Sequence, residues 1–215
     1  MKTSIVTFDL DGTLIRNTNT MELVCGMNGR FEDCVKIQNQ ITIEKALDWV
    51  EGDYIRADYM KGADMRLLDG WFANHAQLIE GLDELLNKLV ENNITPILIT
   101  SGPRQVAQCM KRRFRFAEVF GSEYEEEDGY MTGIILRHLA HHGGKYGCLV
   151  DYCRTHGLDE TRSVAVGDSY SDAEIFANVP RAIAINYTPD LEGLANAYYR
   201  TENIMDILPA LLEDF

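Results

Sequence analysis

Thr3-Ser4-Ile5-Val6-Thr7-Phe8-Asp9-Leu10-Asp11-Gly12-Thr13-Leu14 sets a β-rich run against a polar turn, and the junction at Asp9 decides how the fold is read. The run to Phe8 halts at Asp9-Leu10-Asp11-Gly12, the pattern of a buried strand ending in a loop. The same punctuation recurs downstream. Thr95 to Thr100 (TPILIT) halts at Ser101-Gly102-Pro103, Ser163 to Val166 (SVAV) halts at Gly167-Asp168, and Arg181 to Ile185 forms a further apolar run. Helical patterns lie between these runs, which predicts an α/β fold: a Rossmann-like parallel sheet covered on both faces, with its ligand site at the carboxyl ends of the strands.

The helical stretches carry their own signals. Asn19 followed three residues later by Glu22 reads as a capping box that starts a helix running to Met27. Ile43, Ala46, Leu47 and Val50 recur at helix spacing, with Gly52, Gly62 and Gly70 as punctuation, and Leu82, Leu85, Leu86 and Leu89 form an amphipathic helix. A helix follows Pro103, with Ser101 and Gly102 expected to cap it. Residues 119–126 and 130–136, joined at Asp128-Gly129, read as a β-hairpin. Further helices are expected over residues 145–156, 171–178 and 204–212. One interval breaks the rhythm: 86 residues separate Phe8 from Thr95, far more than one crossover helix needs. Residues 15–78 are therefore expected to form an inserted helical subdomain above the Asp9 loop, with residues 1–14 and 79–215 forming the core.

Composition narrows the function. The 215 residues, 46% hydrophobic and 25% charged, are globular in type. Twenty basic against 34 acidic residues leave a net charge of −14, which disfavours nucleic acid or an anionic membrane as a partner. No apolar run approaches the roughly 18 residues that span a bilayer, and the amino terminus lacks a signal-peptide pattern. Five cysteines with no C-x-x-C pair read as reduced thiols, hence an expected cytoplasmic location. Oligomeric state is not legible.

In a parallel sheet the three punctuated strand ends open onto one rim, so Asp9, Asp11, Thr13, Ser101, Gly102, Asp168 and Asp172 are expected to converge. Oxygen-only ligands suit a hard cation such as Mg²⁺, and with one Lys the set suits phosphoryl transfer. Phe8 to Leu14 resembles motif I of the haloacid dehalogenase (HAD) superfamily, Leu98-Ile99-Thr100-Ser101-Gly102 motif II, Lys145 motif III and Gly167-Asp168-Ser169-Tyr170-Ser171-Asp172 motif IV. The insertion resembles the family's C1 helical cap, and with the Thr-Ser-Gly form of motif II it points to the phosphoserine-phosphatase-like branch.

The resemblance implies a Mg²⁺-dependent phosphatase acting on a small phosphorylated metabolite. Asp9 would be the nucleophile that forms an aspartyl phosphate, and Asp11 the acid and then the base. The Asp9 carboxylate, the Asp11 backbone carbonyl and Asp168, with Asp172 in support, would hold Mg²⁺. Ser101, the Gly102 amide and Lys145 would grip the phosphoryl oxygens, with Thr13 beside them as a further substrate contact. Dehalogenases lack the second Asp of motif I, so Asp11 favours phosphate ester hydrolysis. A phosphotransferase or phosphomutase of the same fold, or a phosphate-binding protein without turnover, are the alternatives.

Phosphoserine phosphatases bind the amino acid through a Glu after motif I and a cap Arg. An ungapped alignment puts Thr18 and about Val50 at those places, so phosphoserine is expected to be a poor substrate. Arg30, Arg56 and Arg66 are cap cations that sequence does not place. His138, His141 and His142 are read as surface or rim residues rather than metal ligands. Lys111, Arg112, Arg113 and Arg115 are read as a solvated face and the acidic run from Glu123 to Asp128 as an exposed hairpin. Trp49, Tyr54, Tyr59 and Trp71 are expected to pack between cap helices.

Overall fold

The computed structural model describes residues 3–141 and 143–213. Its centre is strand β1 (Ile5–Phe8), every residue of which is buried. β1 pairs in parallel with β2 (Thr95–Pro103) on one side and with β5 (Ser163–Gly167) on the other, Phe8 standing opposite Leu98 and Val166. β3 (Glu118–Glu127), β4 (Tyr130–Arg137), β6 (Arg181–Ile185) and β7 (Ala197–Tyr199) complete a seven-stranded sheet of order β4-β3-β2-β1-β5-β6-β7, in which β4 alone is antiparallel to its neighbour.

Alternate residues of the central strands feed two cores, because successive side chains of a strand point to opposite faces. Val6, Phe8, Leu98, Val164 and Val166 share one core with the four buried leucines of α5 (Leu82–Glu91) and with helices of the insertion. Ile5, Ile97, Ile99 and Ala165 share the other with α7 (Gly144–His156) and α8 (Ala173–Asn178). A strand covered on both faces needs a near-continuous apolar run, which residues 5–8, interrupted by the buried Thr7, and residues 96–99 provide.

Between β1 and β2 lie α1 (Thr20–Met27), α2 (Phe31–Thr42), α3 (Trp49–Met60) and α4 (Leu68–His75), followed by α5. The Asn19/Glu22 capping box starts α1 as expected. The two chain segments entering and leaving this region run side by side: Arg16 N–H donates to Gln77 O at 2.8 Å, and Ile79 N–H to Leu14 O at 2.9 Å. The hairpin turn places Asp128 and Gly129 at φ of 51° and 86°, the left-handed pair that a two-residue hairpin loop requires.

Two local expectations are corrected. The helical spacing of Ile43 to Val50 does not mark a helix: α2 ends at Thr42, Lys45 has φ of 53°, and Asp48 caps a new helix while Ile43 is 73% exposed. Ser101 and Gly102 do not cap α6 (Arg104–Arg113), because β2 continues through a bulge until Pro103 pairs with Ser122 and Pro103 itself is the N-cap, without a side-chain bond. The basic run is solvent-exposed as expected, and it is ion-paired at the surface. Arg112 and Arg113 both bond Asp69 of α4, and Lys111 bonds Glu118.

No helix among the described residues is long and apolar enough to cross a membrane. All five cysteines are free thiols, and burial pushes Cys109, Cys148 and Cys153 each up to about 11. Since the thiolate is the reactive form, the folded protein at about pH 8 is expected to react slowly with Ellman's reagent and rapidly on all five thiols once unfolded in guanidinium. Fast modification of the native chain would contradict this burial.

Candidate active site

The site lies where β1 and β5 end side by side. Asp9 N–H donates to Val166 O at 2.9 Å, so the parallel pairing extends one residue past β1 and sets the Asp9 side chain beside the Gly167-Asp168 turn. Oxygen atoms of Asp9, Asp168 and Asp172, all buried, lie within 4.8 Å of one another. Lys145, near the start of α7, is buried among them: its Nζ lies 2.5 Å from Asp9 Oδ1, 2.5 Å from Asp172 Oδ1 and 3.3 Å from Ser171 Oγ. Asp172 Oδ2 accepts the backbone N–H groups of Asp168 at 3.0 Å and Ser169 at 3.2 Å, which folds the motif IV turn back onto the lysine.

Gly12 makes the approach possible. Its φ is +83°, and a Cβ there would overlap Asp168 Oδ2. Thr13 lies fully buried and donates its hydroxyl to Asp168 Oδ1 at 3.1 Å, so it stands behind a carboxylate and orients it.

Asp11 turns away from the cluster. Its Oδ1 accepts the Thr20 N–H at 2.8 Å and its Oδ2 the Thr20 hydroxyl at 2.6 Å, so the start of α1 grips the carboxylate with two donors. Thr20 is a site residue that the sequence reading passed over; the adjacent capping box was its one signal. Gly102 is close by, and a Cβ on it would overlap Thr20 Oγ1. The Gly102 amide donates to Thr100 Oγ1 at 3.0 Å. Ser101 and Lys145 line one cavity of about 590 Å³, roofed by Trp49 of α3.

Of the three cap arginines, Arg56 is the buried one, bonded to Gln38 and Asp53, and its charge is felt at Asp11. Its Nε has no hydrogen-bond partner among the described residues. Arg30 stacks on Tyr59 and Arg66 on Tyr130, both at the surface. Thr18 hydrogen-bonds Glu22 at 2.9 Å, and Val50 lies in the first turn of α3.

Electrostatically the cluster is short of positive charge. Three carboxylates face one ammonium. Burial pushes Asp9 up to about 7 against the pull of Lys145, with Asp172 and Asp11 adding to the rise. Burial and then Asp9 and Asp172 raise Asp168 as well. Asp11 is pushed up to about 6 by burial, with the Thr20 bonds opposing. Burial works against the Lys145 ammonium, yet Asp172 and Asp9 outweigh it and hold its pKa above the ordinary lysine value. Asp9 Oδ2 and Asp168 Oδ2 accept no hydrogen bond among the described residues. Two free carboxylate oxygens in a buried, negatively unbalanced cluster fit a divalent cation with oxygen preference.

The sequence profile of haloacid dehalogenase-like hydrolases matches residues 6–177. The chain belongs to this family. Phosphoserine phosphatase SerB2 of Mycobacterium tuberculosis is 24% identical over 193 residues, covering 90% of this chain and 46% of that protein, so the chain spans about half the length of that relative. A phosphoserine phosphatase of Wolinella succinogenes is 23% identical over 207 residues, covering 96% of this chain and 99% of its own. A solved phospho-aspartyl intermediate analogue of phosphoserine phosphatase superposes with a TM-score of 0.84 at 21% identity, covering 98% of this chain and 100% of the other. The expected HAD-like fold and family membership therefore hold.

Two outcomes follow from the site's charge and hydrogen bonds. Asp9 and Asp11 sit above their ordinary value of 3.8, so the folded chain retains protons that the unfolded chain releases, and stability falls as pH rises from about 4 through about 7. A divalent cation competes with those protons. The rise in Tm on adding Mg²⁺ should be larger at about pH 7.5 than at about pH 5.5; equal rises would contradict this assignment. Thr20→Val should lower kcat about tenfold or more by releasing Asp11, with Tm little changed; an unchanged kcat would remove Thr20 from the site.

Proposed function

We propose that the chain is a divalent-metal-dependent phosphomonoesterase that works through an aspartyl phosphate on Asp9, with Mg²⁺ as the metal and a small phosphorylated metabolite as substrate. The observation that carries this reading is the division of labour between the two motif I carboxylates. Asp9 is held by Lys145 inside the cluster, while Asp11 is held apart by Thr20 with a pKa near 6.

Asp9, held inside the cluster by Lys145, presents one carboxylate oxygen to phosphorus. As that oxygen–phosphorus bond forms, the bond to the leaving alcohol breaks and Asp11 gives its proton to the departing oxygen. Asp11, now ionised, takes a proton from water, whose oxygen attacks phosphorus and releases Asp9 and phosphate. A carboxyl that titrates near 6 is suited to both transfers close to neutral pH. Ser101 and Lys145, with the Gly102 amide turned from Thr100, bind the phosphoryl oxygens. Asp9 and Asp168, the Asp11 carbonyl, and Asp172 in support would hold the metal, which when bound supplies charge neutralisation to the phosphoryl group. Residues 15–78 form the cap over this site, hinged where Leu14–Arg16 pairs with Gln77–Ile79, and closure excludes bulk water. A cytoplasmic setting, with no nucleic acid or membrane partner, belongs to the same reading.

Phosphoserine is a second reading, favoured by one observation. The name borne by the relatives calls for a cation to meet the substrate carboxylate, and Arg56, buried in the insertion with an Nε that bonds nothing among the described residues, is the cap cation that would supply one. Asp53 already pairs with that guanidinium, which keeps phosphoserine second.

Mg²⁺-dependent turnover of p-nitrophenyl phosphate tests the proposal, with Asp9→Asn expected to lose activity at least about a thousandfold. Undiminished activity in that variant would reject the mechanism. Comparing kcat/KM for phosphoserine against a panel of phosphorylated metabolites separates the two substrate readings.

A further inference from the structure

The histidines upstream of Lys145 have no role in the reaction above, yet one of them is among the most enclosed polar side chains of the molecule. His138 follows β4, and its side chain has no solvent exposure. Its Nε2 lies 3.0 Å from Asp53 Oδ2, and its Nδ1 accepts the Ala140 N–H at 3.2 Å. An Nδ1 that accepts from an amide places the ring proton on Nε2, so His138 donates to Asp53. Asp53 belongs to α3, and this hydrogen bond therefore joins the helical insertion to the sheet domain. Trp49 and Tyr54, one on either side of Asp53 in sequence, bring their rings to 5.3 Å and 6.0 Å from the imidazole. His141 lies 5.6 Å away but is exposed, and His142 lies outside the described residues.

The other side of the imidazole leads to the phosphate-binding turn. Leu139 N–H donates to Ser122 Oγ at 3.0 Å, and the Ser122 hydroxyl donates to Ser101 O at 2.6 Å. Ser122 is fully buried, and its neighbour Gly121 has no room for a Cβ against the backbone of Arg104 and Gly102. A continuous chain of hydrogen bonds and backbone thus runs Asp53, His138, Leu139, Ser122, Ser101. It starts in the insertion and ends on the residue that lines the cavity beside Lys145.

We propose that His138 is a positioning residue that seats the helical insertion on the core and, through Leu139 and Ser122, sets the Ser101–Gly102 turn for the phosphoryl group. The seat itself follows from contacts across the insertion; its kinetic consequence rests on the phosphatase reading. An ordinary packing histidine would lower stability when truncated. It would have no reason to affect phosphate affinity in common with Ser122, or to govern the exposure of Trp49.

The test uses both properties. The chain has two tryptophans, so a Trp71→Phe background leaves Trp49 as the only reporter. In it, His138→Ala should raise the acrylamide quenching constant of Trp49 about twofold and the KM for p-nitrophenyl phosphate about tenfold, with kcat changed less. His138→Gln, which keeps an N–H donor toward Asp53, should restore KM to within about threefold of the parent. Ser122→Ala should raise KM about fivefold and leave Trp49 quenching unchanged. Unchanged KM and quenching in His138→Ala, a His138→Gln as impaired as the alanine variant, or a parental KM in Ser122→Ala would overturn the proposal. Should His138→Ala fail to fold, the KM of Ser122→Ala decides. Quenching needs no turnover, so an inactive parent would reject the phosphatase reading and leave the seat to be decided by Trp49.

Discussion

A single buried ammonium holding two carboxylates is the interaction on which this architecture depends. Lys145 sits between Asp9 and Asp172, both nearly inaccessible to water. Placing ionised carboxylates there is costly unless each is paired, and the fold supplies the partner from three directions. β1 delivers Asp9, the turn after β5 delivers Asp172, and α7 delivers Lys145. The parallel pairing of β1 with β5 makes these ends adjacent, and the positive φ of Gly12 lets Asp168 come in against the motif I turn. With one ammonium against three carboxylates, the imbalance that remains fits a divalent cation.

Much of this was legible in the sequence, for a physical reason. A strand buried on both faces has to be a near-continuous apolar run, and such a run has to end at its rim in residues that tolerate sharp turns and water. Residues 3–14, 95–103 and 163–168 all show that abrupt change. The hairpin was legible because Asp128-Gly129 is one of few pairs that accept two positive φ angles in succession. The reading failed where tertiary contacts override local pattern. Ile43 to Val50 has helical spacing, yet Asp48 starts a new helix and Ile43 faces solvent. Ser122 and the burial of His138 escaped for a similar reason: Ser122 bonds Ser101 and Leu139, and His138 bonds Asp53, partners distant in sequence that nothing in the neighbouring residues marks.

The net charge of −14 takes on a local meaning. At physiological salt the Debye length is about 8 Å, so carboxylates on the far surface contribute little at the rim. On the proposed reading, an incoming phosphoryl group meets Lys145, the Ser101–Gly102 turn and any cation held between Asp9 and Asp168. The acidity of the chain therefore disfavours a polyanionic partner without opposing a small phosphorylated one.

The central claim is that Asp9 carries the phosphoryl group. Acid quenching of a reaction with p-nitrophenyl phosphate, followed by peptide mass mapping, addresses it directly, with Asp11→Asn used to slow hydrolysis of the intermediate. The account predicts phosphate on the peptide containing Asp9, absent when Asp9 is replaced by Asn. Steady turnover with no phosphorylated peptide, or phosphate bound to a different residue, would contradict it.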